Sequence, residues 1–156
     1  MLVDRWQDVE RVLVIQVGSY KDVVLIPALR TLRQSLPDAA ITLMATSASR
    51  QLTGQSPPWV DDVLVYENAT FMSNREEMLA LIELLSRRAF DAAVIFTNAR
   101  ESPYPLAYIC YLAGIPIRLG QSHEFGGSLL SQWVKCQTAD NQNRHLFLLE
   151  SSGLTK

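Results

Sequence analysis

The sequence predicts an α/β protein, a Rossmann-like parallel sheet flanked by helices. Three observations lead there. Short runs of aliphatic and β-branched residues recur along the chain, apolar on both faces, as strands covered on two sides are. Segments with apolar residues at helical spacing separate them, which implies crossover helices between parallel strands. With 156 residues, 48% hydrophobic and 19% charged, the chain has the size and composition of a single globular domain, expected to span 1–156.

The elements follow in order. Residues 11–16 (RVLVIQ) form the first strand, and Gly18-Ser19 turns into a helix. Its Leu25, Leu29, Leu32 and Leu36 lie at spacings of four, three and four, one helix face, and Pro37-Asp38 ends it. Residues 40–44 form the second strand and 47–52 a short polar helix or turn; Pro57-Pro58 breaks the chain before a third strand at 62–66. Ser73-Asn-Arg-Glu76 has capping-box spacing and opens a helix to about residue 89. Met78, Leu81, Ile82 and Leu85 form its apolar stripe, and Arg87-Arg88 suit its negative end. The fourth strand is 92–96, the next helix 105–112 with Gly114 as a left-handed cap, and the fifth strand 115–119. Beyond Gly120 the pattern loosens: a turn at Gly126-Gly127, a short strand at 129–134, a linker-like 137–142 and a last helix at 141–152.

Composition narrows the function. Fourteen Lys+Arg against sixteen Asp+Glu give a net charge of −2, with no basic cluster denser than Arg87-Arg88. A nucleic-acid partner is therefore not expected. The two cysteines, Cys110 and Cys136, are far apart and lack CxxC spacing, so they read as reduced, partly buried thiols. The longest uncharged stretch, 102–117, is too short to span a bilayer and holds Pro103, Pro105 and Pro116. The first residues lack the apolar core of a signal peptide. The expectation is a cytoplasmic protein without a transmembrane segment, with peripheral contact at the inner membrane face left open.

Function in such folds gathers at the carboxyl ends of the strands, near helix amino termini. The first such loop, Gln16-Val-Gly-Ser-Tyr-Lys-Asp22, lacks the spaced glycines of a dinucleotide site and the Gly-Lys-Ser/Thr of a P-loop. Nucleotide binding in those modes is disfavoured. No Gly-x-Ser-x-Gly elbow marks a hydrolase. His123 and His145 are too few for a metal site. Tyr104, Tyr108 and Tyr111 sit at helical spacing, read first as core and second as a platform for a sugar.

Several segments resemble the family 9 glycosyltransferases, the ADP-heptose:lipopolysaccharide heptosyltransferases. They are Val12-Leu-Val-Ile15, the Gly18-Ser19 loop, Asp22-Val-Val, Pro27-Ala-Leu-Arg-Thr-Leu-Arg33, Leu36-Pro-Asp38 and Ile41-Thr-Leu43. Further on, Pro58-Trp-Val-Asp-Asp-Val-Leu-Val-Tyr66, Phe90-Asp-Ala-Ala-Val-Ile95, Ala113-Gly-Ile-Pro-Ile-Arg-Leu-Gly120 and His145-Leu-Phe-Leu-Leu149 with Gly153 continue it, in order. The resemblance implies the two-domain GT-B arrangement, with the active site between an acceptor-side N-terminal domain and a donor-side C-terminal one. This chain corresponds to the first, its last helix leading toward a C-terminal domain in the same or a separate chain. The implied partners are an ADP-heptose-like nucleotide-sugar donor and a cell-envelope glycan acceptor. Neither a metal nor another cofactor is expected.

Within the resemblance, Asp22 matches the aspartate proposed as general base for inverting transfer, a carboxylate that takes the acceptor hydroxyl's proton. Its simpler reading is a helix cap. Gly18, Ser19, Lys21, Arg100 and His123 are the candidate substrate-binding residues. The simpler readings are a strand-to-helix turn for Gly18 and Ser19 and a solvated lysine for Lys21. Two positions depart from the family: Lys21 stands where it has Gly, and Val23 to Ile26 is one residue shorter than its usual stretch before the helix proline. One residue turns a helix start by about 100°. These departures favour an alternative, a non-catalytic binding or interaction module on the same fold. A free-standing nucleotide-binding domain is a third reading, which the glycine-poor first loop opposes. Homodimerisation through the face that would meet a second domain stays open.

Overall fold

The computed structural model describes residues 6–16, 22–46, 59–66, 74–97, 101–136 and 144–154. Six strands are present there: β1 (Arg11–Gln16), β2 (Ala40–Thr46), β3 (Asp62–Tyr66), β4 (Ala92–Phe96), β5 (Ile117–Ser122) and β6 (Gln132–Lys135). Four helices accompany them: α1 (Asp22–Ser35), α2 (Arg75–Arg88), α3 (Tyr104–Leu112) and α4 (Arg144–Ser151). All pairings are parallel, in the order β3-β2-β1-β4-β5-β6. The sheet therefore grows outward in both directions from β1 and β4, with its topological switch point between them.

Alternation along the strands divides the core into two layers. Val12 and Val14 face α1 and α4, packing with Leu25, Leu29, Leu32, Leu148 and Leu149. Leu13 and Ile15 face α2 and α3, packing with Leu85, Leu106, Ile109 and Cys110. The fold class read from the sequence is the one observed.

Several boundaries move, each for a local reason. The cap of α2 is Asn74, whose side-chain oxygen accepts from the N–H groups of Glu76 and Glu77. The capping spacing thus runs from Asn74 to Glu77, one residue beyond the Ser73 reading. β5 starts at Ile117 because the Ile115 N–H closes α3 onto the Cys110 carbonyl at 3.1 Å and Pro116 has no N–H. Gly114, at φ +82°, is the left-handed residue of that closure. Leu129 belongs to a 3-10 turn (Gly127–Leu129) and the last strand begins only at Gln132. Pro27 lies inside α1, which already begins at Asp22. Both cysteines are buried, Cys110 completely. Tyr108 and Tyr111 are not core residues: they stand 42% and 51% exposed on the outer side of α3. The polar segment at 47–52 lies outside the described residues.

The segments that resemble the glycosyltransferases include the bonds closing the amino edge of the sheet. The Asp91 carboxylate accepts from the Glu10 and Arg11 N–H groups, at 2.9 and 3.0 Å, fixing the start of β1 beside β4. Arg33 donates to the Ala39 carbonyl (2.6 Å), the Trp59 carbonyl (3.2 Å) and the Asp61 carboxylate (2.6 Å). Asp61 also accepts from the Ile41 N–H at 2.8 Å. That backbone bond first, with Arg33 adding to it, holds the Asp61 carboxyl below its ordinary pKa against the opposing effect of burial. Arg118, only 8% exposed, donates to the carbonyls of Ile115, Pro116, Ser128 and Leu129 and lies over the Tyr111 ring. It ties the turn before β5 to the turn before β6.

Candidate functional site

The opposite, carboxyl edge is organised by polar side chains at the ends of otherwise apolar strands. Gln16 closes β1, Thr97 follows β4, Gln121 is the penultimate residue of β5, and Cys136 follows β6. All four are buried, and the first two residues of α4, Arg144 and His145, are buried among them. The Arg144 guanidinium donates to the Thr97 carbonyl (2.5 Å), the Thr97 hydroxyl (3.1 Å) and the Cys136 sulfur. The Gln121 amide donates to the Arg144 carbonyl at 3.0 Å. His145 Nε2 lies 2.9 Å from Gln16 Oε1, and its ring stacks on Phe96 with centroids 4.3 Å apart.

The electrostatics of this layer follow from burial. Gln16 Oε1 is a carbonyl oxygen and can only accept, so His145 Nε2 carries the hydrogen. Burial first, then the Arg144 charge, pull the imidazole from its ordinary 6.5 down to about 3. His145 is therefore a neutral donor and not an acid–base group at working pH. Its Nδ1 and Gln121 Oε1 are buried without a hydrogen-bond partner among the described residues.

Above this layer lies a cleft of about 290 Å³. The connection from β4 into α3 contributes Glu101, Ser102 and Tyr104. The end of β5 contributes Ser122, His123 and Glu124, and the buried Cys136 and Arg144 complete the lining. Tyr104 shapes one wall: its hydroxyl donates to the Glu124 carbonyl, and a Cβ on Gly126 would overlap its ring. The lining combines carboxylates, hydroxyls, an imidazole and a guanidinium, groups that accept from and donate to a hydroxylated ligand. Among the described residues no three His, Cys, Asp or Glu side chains gather as metal ligands.

Of the residues singled out from sequence, His123 is exposed and lines the cleft. Asp22 is the first residue of α1, and only its backbone is described. Gly18, Ser19, Lys21 and Arg100 lie outside the described residues. Sequence reasoning placed Thr97 and Gln121 only at the ends of cleft-lining loops, and did not foresee that Gln16, Thr97, Gln121 and Arg144 form a buried hydrogen-bonded layer beneath the cleft. One signal was available: Arg144 opens a helix, where the dipole disfavours a cation, and such a local conflict marks a residue held by something else.

The fold defines a class, a doubly wound parallel α/β sheet of the kind found in the half-domains of GT-B glycosyltransferases. Family 9 glycosyltransferases are among the solved structures to which the chain is similar. One, from Veillonella parvula, superposes with a TM-score of 0.77 over 100% of this chain at 16% identity. The Escherichia coli heptosyltransferase WaaC, solved with ADP and with ADP-2-deoxy-2-fluoro heptose, superposes in both cases at 0.64 over 91% of this chain, also at 16% identity. The chain spans 44% to 48% of the length of these structures. At that identity the likeness shows the fold, and at that level the resemblance read from sequence holds. No family profile and no curated protein sequence matches the chain. None of the described helices is long and apolar enough to cross a membrane.

Proposed function

We propose that the chain is the acceptor-side, N-terminal domain of a family 9-type glycosyltransferase, acting with a donor-side domain on the same or a separate chain. The observation that carries this reading is the position of the cleft. It opens at the carboxyl edge of a half-domain whose solved counterparts are glycosyltransferases, and its lining suits a ligand rich in hydroxyls. In the proposed reaction an acceptor hydroxyl of a cell-envelope glycan attacks the anomeric carbon of an ADP-heptose-like donor. The bond from that carbon to the phosphate oxygen breaks, ADP leaves, and the hydroxyl proton passes to the Asp22 carboxylate with inversion at carbon. Gly18, Ser19, Lys21, Arg100 and His123 contact the acceptor.

The test mixes the chain with the donor-side domain of a family 9 enzyme and measures ADP release from ADP-heptose with a core oligosaccharide. Asp22→Asn loses about 10²- to 10⁴-fold in turnover, the usual contribution of a positioned base. Equal turnover by Asp22→Asn removes the base assignment. The second reading, a binding module, is favoured by Lys21 and by the short stretch before Pro27. It predicts oligosaccharide binding with no turnover beside any donor-side domain.

A further inference from the structure

We infer that Arg144 and His145 are positioning residues: this one dipeptide at the start of α4 sets the carboxyl ends of β1, β4, β5 and β6, and through them the loops that frame the cleft. The geometry assigns one bond or pair of bonds to each strand. β1 is held through Gln16 by His145 Nε2, and β4 through Thr97 by the Arg144 guanidinium and through Phe96 by the His145 ring. β5 is held through the Gln121 amide on the Arg144 carbonyl, and β6 through Cys136. Thr97 precedes the connection that carries Glu101 and Ser102, Gln121 is followed directly by Ser122, His123 and Glu124, Cys136 lines the cleft itself, and Gln16 is the last residue of β1. In the layer below, α1 packs against β1 and β2 through its leucines and Ala28.

Bond direction supports a positioning role over simple filling of space. A buried guanidinium directed at a carbonyl and a hydroxyl of one residue accepts little angular error. A buried imidazole that is both stacked and hydrogen-bonded is fixed in two dimensions. Apolar side chains of the same volume would fill this layer and leave the strand ends free to slide. Through these bonds a shift at the start of α4 is passed to all four strand ends together.

The inference takes the carboxyl edge as the working edge, as proposed above, yet its test needs no turnover. Backbone amide exchange is measured by NMR on the whole chain and on variants that each remove one bond. Thr97→Val raises exchange about tenfold at Phe96, Thr97 and Glu101, the effect of losing one charge-assisted hydrogen bond. His145→Phe, which keeps the stack and loses the donor, does the same at Ile15 and Gln16, and His145→Gln, which keeps a donor, restores protection there. The amino-edge amides of Ala40, Asp91 and Ile117 change by less than about twofold in each case. Leu29→Ala serves as the control, a core cavity that lowers protection at both edges together. Should His145→Phe not fold, Thr97→Val and Gln121→Met each still test a single strand. Exchange that rises equally at both edges in Thr97→Val, as in Leu29→Ala, overturns the inference, as does unchanged exchange at the carboxyl edge. Either result leaves the acceptor-side reading standing, and a failed turnover assay leaves the exchange pattern unaffected.

Discussion

Lowering the pH from 7 to 4.5 should destabilise this protein mainly through one residue. His145 is 3% exposed, and burial beside Arg144 holds its folded pKa at about 3 against an ordinary 6.5. Above pH 6.5 the imidazole is neutral in both folded and unfolded chains, and its full contribution to stability is present. Below 6.5 the unfolded chain binds a proton that the folded chain refuses, so stability falls by about 1.4 kcal/mol per pH unit until the pH nears 3. At pH 4.5 the loss reaches about 3 kcal/mol, which for a chain of this size lowers Tm by roughly 6–10 °C. Asp61 and Asp62 have carboxyls held below their ordinary 3.8 by hydrogen bonds. Their stabilisation is lost only as the pH drops further, through their lowered folded values. The assay is urea unfolding from pH 7 to 4.5 for wild type and His145→Gln, whose side chain cannot titrate. The difference between the two isolates His145 from every other group. A slope for His145→Gln equal to that of wild type would refute the reasoning.

Further outcomes follow from single contacts. Arg118→Ala leaves four carbonyls without their shared donor and should cost about 3 kcal/mol by urea unfolding; Arg118→Lys recovers only part, since an ammonium cannot span the same carbonyls. Gly126→Ala drives a Cβ into the Tyr104 ring and should cost about 1–3 kcal/mol, a penalty reduced in the Gly126→Ala/Tyr104→Ala double variant. Cys110, sealed in the α2–α3 layer with its thiol pushed up to about 12 by burial, should resist iodoacetamide at pH 8 until denaturant is added, as read by mass spectrometry.

Much of the fold is legible because the strands are short, unmixed apolar runs. β1, β3 and β4 coincide with the runs read from sequence. Boundaries slip where side chains compete with local pattern. Ser73 and Asn74 both suit a cap, and adjacent Glu76 and Glu77 both suit the third helical position, so spacing alone does not choose between them. The Ser128 and Leu129 carbonyls are taken by Arg118, which keeps Leu129 in a turn and out of β6. The buried layer under the cleft is harder to see because its bonds are long-range. His145 meets Gln16 across 129 positions and Arg144 meets Thr97 across 47. Sequence shows only lone polar residues ending apolar strands, which taken singly mark nothing but the strand's end. The segments that carry the family resemblance supply Arg33, Asp61, Asp91 and Arg118 at the amino edge and His145 at the carboxyl edge.

The central claim is that the carboxyl edge of this half-domain binds a glycan acceptor and leaves the nucleotide to another domain. Titrating the isotope-labelled chain with a lipopolysaccharide core oligosaccharide, and separately with ADP, tests it most directly by amide chemical shifts. The account predicts saturable shifts at Glu101, Ser102, Ser122 and His123 with the oligosaccharide, and none at these residues with ADP. Saturable ADP shifts at the cleft, or oligosaccharide shifts confined to the amino edge around Arg33, Asp61 and Arg118, would contradict it.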